Sequence, residues 1–197
     1  MARRQPDFES ERELTETQWS QINEIDFYGL AETAFHEASH VVVALHFDYR
    51  CEPVIEIWQP REGEARGKKW LGRCTYNTPD DPREQALISI AGEIGACMIG
   101  GAVADSVTAA KVLYWLLDIG CISRGDRAGL LDPDDRRGGV TQEHVGECFA
   151  ILKGSWRMVE AVAGKVLDDV GAIEFGLEKG WYKPLMAAFL EYQANQV

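Results

Sequence analysis

The sequence predicts an α+β domain, mostly helical, with one small antiparallel strand pair. Three observations predict it. Apolar residues recur at helical spacing over most of the 197-residue chain. One pair of short β-branched and aromatic runs, separated by a polar turn-rich stretch, interrupts the helical pattern. Apolar residues make up 46% of the chain, enough for a core, and the length suits one domain better than two.

The elements follow in order. Residues 1–20 are charged and weakly periodic, so they read as a mobile arm or a loosely docked helix ahead of a domain spanning 21–197. The first strong helix should cover Gly29 to His46, where Ala34, Val41 and Leu45 share an apolar face. Glu52 to Trp58 reads as a strand, QPREGEARG as a turn, and Lys68 to Asn77 as the returning strand. Pro79 and Pro82 break the chain there. Arg83 to Ile99 should be a helix ended by Gly100-Gly101, and Asp105 to Ile119 a second one ended by Gly120. A short helix is expected after Ser123, then a loop over Leu130 to Gly139. Thr141 is a plausible N-cap for one long helix reaching about Val170, and a last helix should cover Trp181 to Gln193.

Charge and cysteine usage narrow the function. The net charge of −12 repels phosphate backbones and anionic lipid, so neither nucleic acid nor a membrane surface is an expected partner. The five cysteines are widely spaced, with no C-x-x-C pair, which reads as free thiols in a reducing compartment. The first residues form no apolar signal region, and a cytoplasmic location is expected. Ala86 to Ala104 is apolar enough to suggest a membrane span. Glu93 near its centre, together with the interrupting glycines and serines, favours a buried core helix.

His36-Glu37-Ala38-Ser39-His40 carries the chemistry. On a helix, residues i and i+4 share a face, so both imidazoles can reach one ion, and zinc accepts neutral imidazole. Glu37 is turned roughly 100° from His36, beside the ion, where it can take a proton from water that the metal acidifies. The bland alternative is a pair of satisfied core histidines with Glu37 on a solvated face. A catalytic zinc needs a third protein ligand and an open position. No H-x-x-G-x-x-H continuation follows His40. His46 reads better as a helix-end residue near the C-terminal dipole, and His144 as a helix-start residue. Glu93, Asp105, Asp126, Asp132, Asp134 and Asp135 remain as carboxylate candidates, with Cys121 as a weaker thiolate one.

TAFHEASHVVVAL (Thr33 to Leu45) resembles the zinc-helix signature of the FtsH family of ATP-dependent zinc metalloproteases. The likeness continues in order. EPVIEIWQPREG and WLGRCTYNTPDD resemble the family's strand pair, and ISIAGEIGACMIGG its Gly-Ala-rich core helix. ISRGDRAG (Ile122 to Gly129) resembles the segment whose aspartate is the third zinc ligand, and ILKGSWRMVEAVAGKVLDD the long C-terminal helix. The resemblance spans Tyr28 to Ile173 and implies a zincin-like peptidase fold with the strand pair beside the zinc helix. It implies Zn2+ held by His36, His40 and Asp126, with Glu37 as general base. Asp126 also fits a capping box begun by Ser123, and the two roles are compatible.

There are departures from the family pattern. Ser39 stands where the family usually has glycine, and Ala96 and Cys97 stand where it carries glutamates. Residues Ala102 to Cys121 form an insertion, and no G-x-x-x-x-G-K-[ST] loop occurs. The expected function is therefore a zinc metallopeptidase without its own ATPase module or membrane anchor, acting on peptides or unfolded protein segments. A homo-oligomer or a separate ATPase partner would suit it. A regulatory protease that cleaves one partner protein is a narrower version. The alternative is a non-catalytic zinc-binding regulatory or adaptor protein on the same scaffold, which the missing ATPase and altered core helix favour. The intact H-E-x-x-H favours the enzyme.

Overall fold

The computed structural model describes residues 15–17, 20, 29–49, 54–60 and 70–174. Most of the expected N-terminal arm, the turn after the first strand and the expected helix over Trp181 to Gln193 lie outside the described residues. Six helices and one strand pair are described beyond residue 20: α1 (Leu30–His46), β1 (Val54–Trp58), β2 (Leu71–Thr75), α2 (Pro82–Ile99), α3 (Ser106–Ile119), α4 (Arg124–Ala128), α5 (Gln142–Gly154) and α6 (Trp156–Glu174). This is the expected α+β arrangement. Among the described residues, no helix is long and apolar enough to cross a membrane.

The helix ends follow from their capping residues. Asp81 accepts the N–H of Arg83 at 2.8 Å, and Pro82 occupies the first turn of α2, where a missing N–H costs nothing. Asp105 caps α3 through the N–H of Thr108 at 2.8 Å. Gly120 ends α3 in the left-handed region at φ 71°, which favours glycine. Thr141 and His144 cap α5 reciprocally.

One expectation needs correction. The long helix from Thr141 to about Val170 is two helices, broken at Ser155. Ser155 takes φ −109° and ψ 17°, donates its N–H to Ile151, and accepts the N–H groups of Met158 and Val159. It thus ends α5 and starts α6. A Gly-Ser pair, here Gly154-Ser155, is a common cause of such a break.

The core is built on α1 and α2, which pack together, with α6 also against α1 and α5 against α2 and α3. From Ala86 to Cys97, α2 is buried on every face. It is the core helix that a central glutamate suggested, not a span. β1 and β2 are antiparallel, with Ile57 opposite Gly72 and Glu56 opposite Arg73. Glu56 and Arg73 form an ion pair on the exposed face, while Ile55 and Ile57 enter the core. β2 packs against α1.

Candidate metal centre

α1 presents His36, Glu37 and His40 to the space between α2, β2 and α4. Helix geometry sets both imidazoles on one face, and their Nε2 atoms lie 3.0 Å apart. The third group arrives from α4. Ser123 caps this short helix by accepting the N–H of Asp126 at 3.1 Å, which holds Asp126 in the first turn. The Asp126 carboxylate straddles the two rings, with Oδ2 3.5 Å from His36 Nε2 and Oδ1 3.3 Å from His40 Nε2.

The two carboxylate separations match those of a metal site, and the imidazole pair stands slightly closer. Bonds of about 2.0–2.2 Å in a tetrahedral zinc site put neighbouring donor atoms about 3.3–3.5 Å apart. His36, His40 and Asp126 each offer one ligand atom within 4.8 Å of the others. The tautomer of His40 agrees. Its Nδ1 lies 2.6 Å from the carbonyl oxygen of Ile88, which can only accept, so Nδ1 carries the proton. The Nε2 lone pair is then left facing His36 and Asp126. A polarising carbonyl behind the ring is the usual support for a ligating histidine.

The opposite face of the site is a close approach of α2. A Cβ at Gly92 would stand 2.6 Å from His36 Nε2, and nearer still to His40 Nε2, so only glycine lets α2 pass the imidazoles. One turn on, a Cβ at Gly95 would collide with the Ser39 side chain. Ser39 is accommodated because Gly95 opposes it, and its hydroxyl donates to the Phe35 carbonyl at 2.7 Å. Glu37 is 6% exposed and rests on β2, where a Cβ at Gly72 would stand 2.8 Å from its Cδ.

Burial and charge oppose each other here. Burial acts against a protonated His36, but Glu93, Asp126 and Glu37 outweigh it and raise its pKa to about 10. Burial likewise acts to raise the Asp126 carboxyl, and the two histidines and Ser123 outweigh it, holding the group well below the usual carboxylate range. The surrounding carboxylates thus favour positive charge at this point. The Cys74 thiol, on β2 beside Glu37, is pushed well above its ordinary value by burial and by the neighbouring Glu37 and Asp126. It stays a neutral thiol.

The other sequence candidates fall elsewhere. Glu93 is buried, but its Oε2 faces the far nitrogen of His36, Nδ1, at 3.9 Å. It therefore lies behind the ring and not among the converging atoms. Asp105 caps α3. Asp132 and Asp135 accept backbone N–H groups within their own exposed loop, and Asp134 is exposed there. His46 packs edge-on against Phe47 at the end of α1, and His144 belongs to the cap of α5, as their positions suggested. Cys121 is exposed and borders a cleft beside His36. Sequence reasoning did not single out Gly72, Gly92 or the Ile88 carbonyl. The glycines were visible as interruptions of apolar runs, but the carbonyl left no signal.

Two clefts meet at the site and share His36, Glu37, Gly72 and Ser123. One, of about 210 Å³, is walled by Trp70, Leu71, Trp115 and Leu116. The other, of about 480 Å³, runs past Asp126, Arg73, Thr75, Tyr76 and Gln85. No family model matches the chain, and no curated protein matches it.

Proposed function

We propose that the chain is a zinc-dependent peptidase with a zincin-like fold, hydrolysing peptide bonds in peptides or unfolded protein segments. The reading draws on the resemblance to the FtsH peptidase domain. The observation that carries it is the convergence of His36 Nε2, His40 Nε2 and the Asp126 carboxylate at 3.0–3.5 Å, with Glu37 beside them at the junction of two clefts.

His36, His40 and Asp126 would hold the zinc. Once bound, it supplies a Lewis acid that polarises a peptide carbonyl and lowers the pKa of water. The protein's own groups do the rest. Glu37 accepts a proton from the attacking water and returns it to the leaving amine. Gly72 packs against the Glu37 side chain and fixes its reach. The Ile88 carbonyl keeps His40 in the tautomer that leaves Nε2 unprotonated. β2 pairs only with β1 among the described residues and borders both clefts, which suits an extended substrate lying alongside it. On this reading the protein works in the cytoplasm, with a homo-oligomer or a separate ATPase as the assembly that would feed it.

The test is metal content together with cleavage of casein, using Glu37→Gln as control. Stoichiometric zinc, with cleavage abolished in Glu37→Gln but zinc retained, supports the peptidase. Zinc without cleavage points to the non-catalytic regulatory or adaptor protein. A chelator-free protein that takes up no transition metal ends both readings.

A further inference from the structure

The smaller cleft is built by a segment that the resemblance does not explain. Trp115 and Leu116 belong to α3, inside the insertion over Ala102 to Cys121. They line the cleft together with Trp70 and Leu71, and His36 and Glu37 of the candidate metal centre line it too. We infer that this cleft is a specificity pocket for one large apolar side chain of the substrate, next to the scissile bond, and that α3 supplies its selective wall. The inference rests on the peptidase reading above.

Position, size and charge argue for that occupant. A chain lying along β2 passes from one cleft to the other across Glu37 and Gly72, so a residue adjoining the reacting bond points into the small cleft. At about 210 Å³ the cavity falls below the roughly 300–1,000 Å³ of sites for drug-sized ligands and suits a single side chain. Its walls are aromatic and aliphatic. The carboxylates nearest it are Glu37 and Glu93, which repel an acidic residue, and Glu93 already faces His36. The larger cleft also has aromatic residues, Trp58 and Tyr76, but it mixes them with Arg73, Thr75, Thr78 and Gln85 and is the more polar of the two.

Two measurements on the full chain decide it. The zinc-loaded protein is offered quenched-fluorescence peptides varied on each side of one bond. Phenylalanine, leucine or methionine at one of these positions should exceed alanine in kcat/KM by about tenfold or more, with aspartate and glutamate poorest. In Trp115→Ala the phenylalanine-to-alanine ratio should fall towards one. The second measurement needs neither metal nor turnover. In the metal-free protein, N-acetyl-phenylalaninamide should shift the indole N–H resonances of Trp70 and Trp115, and N-acetyl-alaninamide should not. A flat profile, a preference for charged residues, or equal losses for all peptides in Trp115→Ala would overturn the pocket. So would equal or absent indole shifts with the two amides. If no peptide and no casein is cleaved, the peptidase reading fails, and the indole shifts still decide whether the pocket takes an apolar side chain.

Discussion

His40 Nδ1 and the carbonyl oxygen of Ile88 lie 2.6 Å apart, joining the second histidine of α1 to the buried backbone of α2. An α-helical carbonyl normally accepts from its own helix, so this one also accepts from a neighbour. The proton between them should be protected from water. In an ¹⁵N-labelled sample, a His40 Nδ1–H resonance is expected at low field with slow exchange, and it should persist when zinc is added. Observing the proton on Nε2 instead would undo the tautomer assignment.

The third ligand is tested by removing its carboxylate. Asp126→Ala should weaken zinc binding by at least about tenfold, by analogy with the losses that follow from disturbing metal-site partners. The variant should keep its far-ultraviolet circular dichroism, because no residue of α4 is buried. Zinc at 100 times its dissociation constant stabilises a native site by about 2.7 kcal/mol, and this protection should shrink in the variant. Unchanged affinity would move the third ligand to a neighbouring acid.

Gly92 is the small residue whose enlargement would strike both imidazoles. Gly92→Ala places a methyl group against both imidazoles and should cost about 1–3 kcal/mol in urea unfolding, with loss of zinc affinity. Gly164 is the control. It lies in α6 with open space around its Cβ position, so Gly164→Ala should stabilise by about 0.5–1 kcal/mol and leave zinc binding alone. Equal effects at the two sites would mean that α2 is free to move away.

Proton release supplies a pH test. The folded, metal-free protein holds a proton on His36 up to about pH 10, well above the ordinary histidine value of 6.5. Zinc needs the neutral ring, so binding at pH 7 should expel about one proton, read as the buffer dependence of the calorimetric enthalpy. Zinc affinity should climb with pH between about 6 and 8, below the range where aqueous zinc itself takes on hydroxide. For the metal-free protein the sign runs the other way. The raised pKa adds stability that is fully present below pH 6.5 and is lost as pH rises through about 10.

The sequence made some of this legible and not the rest, for physical reasons. His36, Glu37 and His40 are one turn of a single helix, so local geometry alone places them, and α1 lies within a residue of its expected start. Asp126 was one of six acids with equal claims on spacing. It was chosen by resemblance, because which acid meets the histidines depends on how α4 folds back over α1, a long-range matter. Glu93 shows the same limit. Its place in a buried run marked it as unusual, but whether it faces Nε2 or Nδ1 of His36 depends on the rotation of α2. The break at Ser155 was signalled by Gly154-Ser155, and the continuous apolar pattern on either side concealed it.

α4 is short and buries none of its residues, yet it carries the group that closes the site. A loosely seated element that holds one jaw of an ion is fastened by that ion. Starving the protein of zinc should therefore unclasp the stretch from Ser123 to Gly129 first and leave the helical body standing. A bound metal would then act as a rivet for the larger cleft, which Gly125 and Asp126 line, while the walls of the smaller one, on α3 and beside β2, would stand without it.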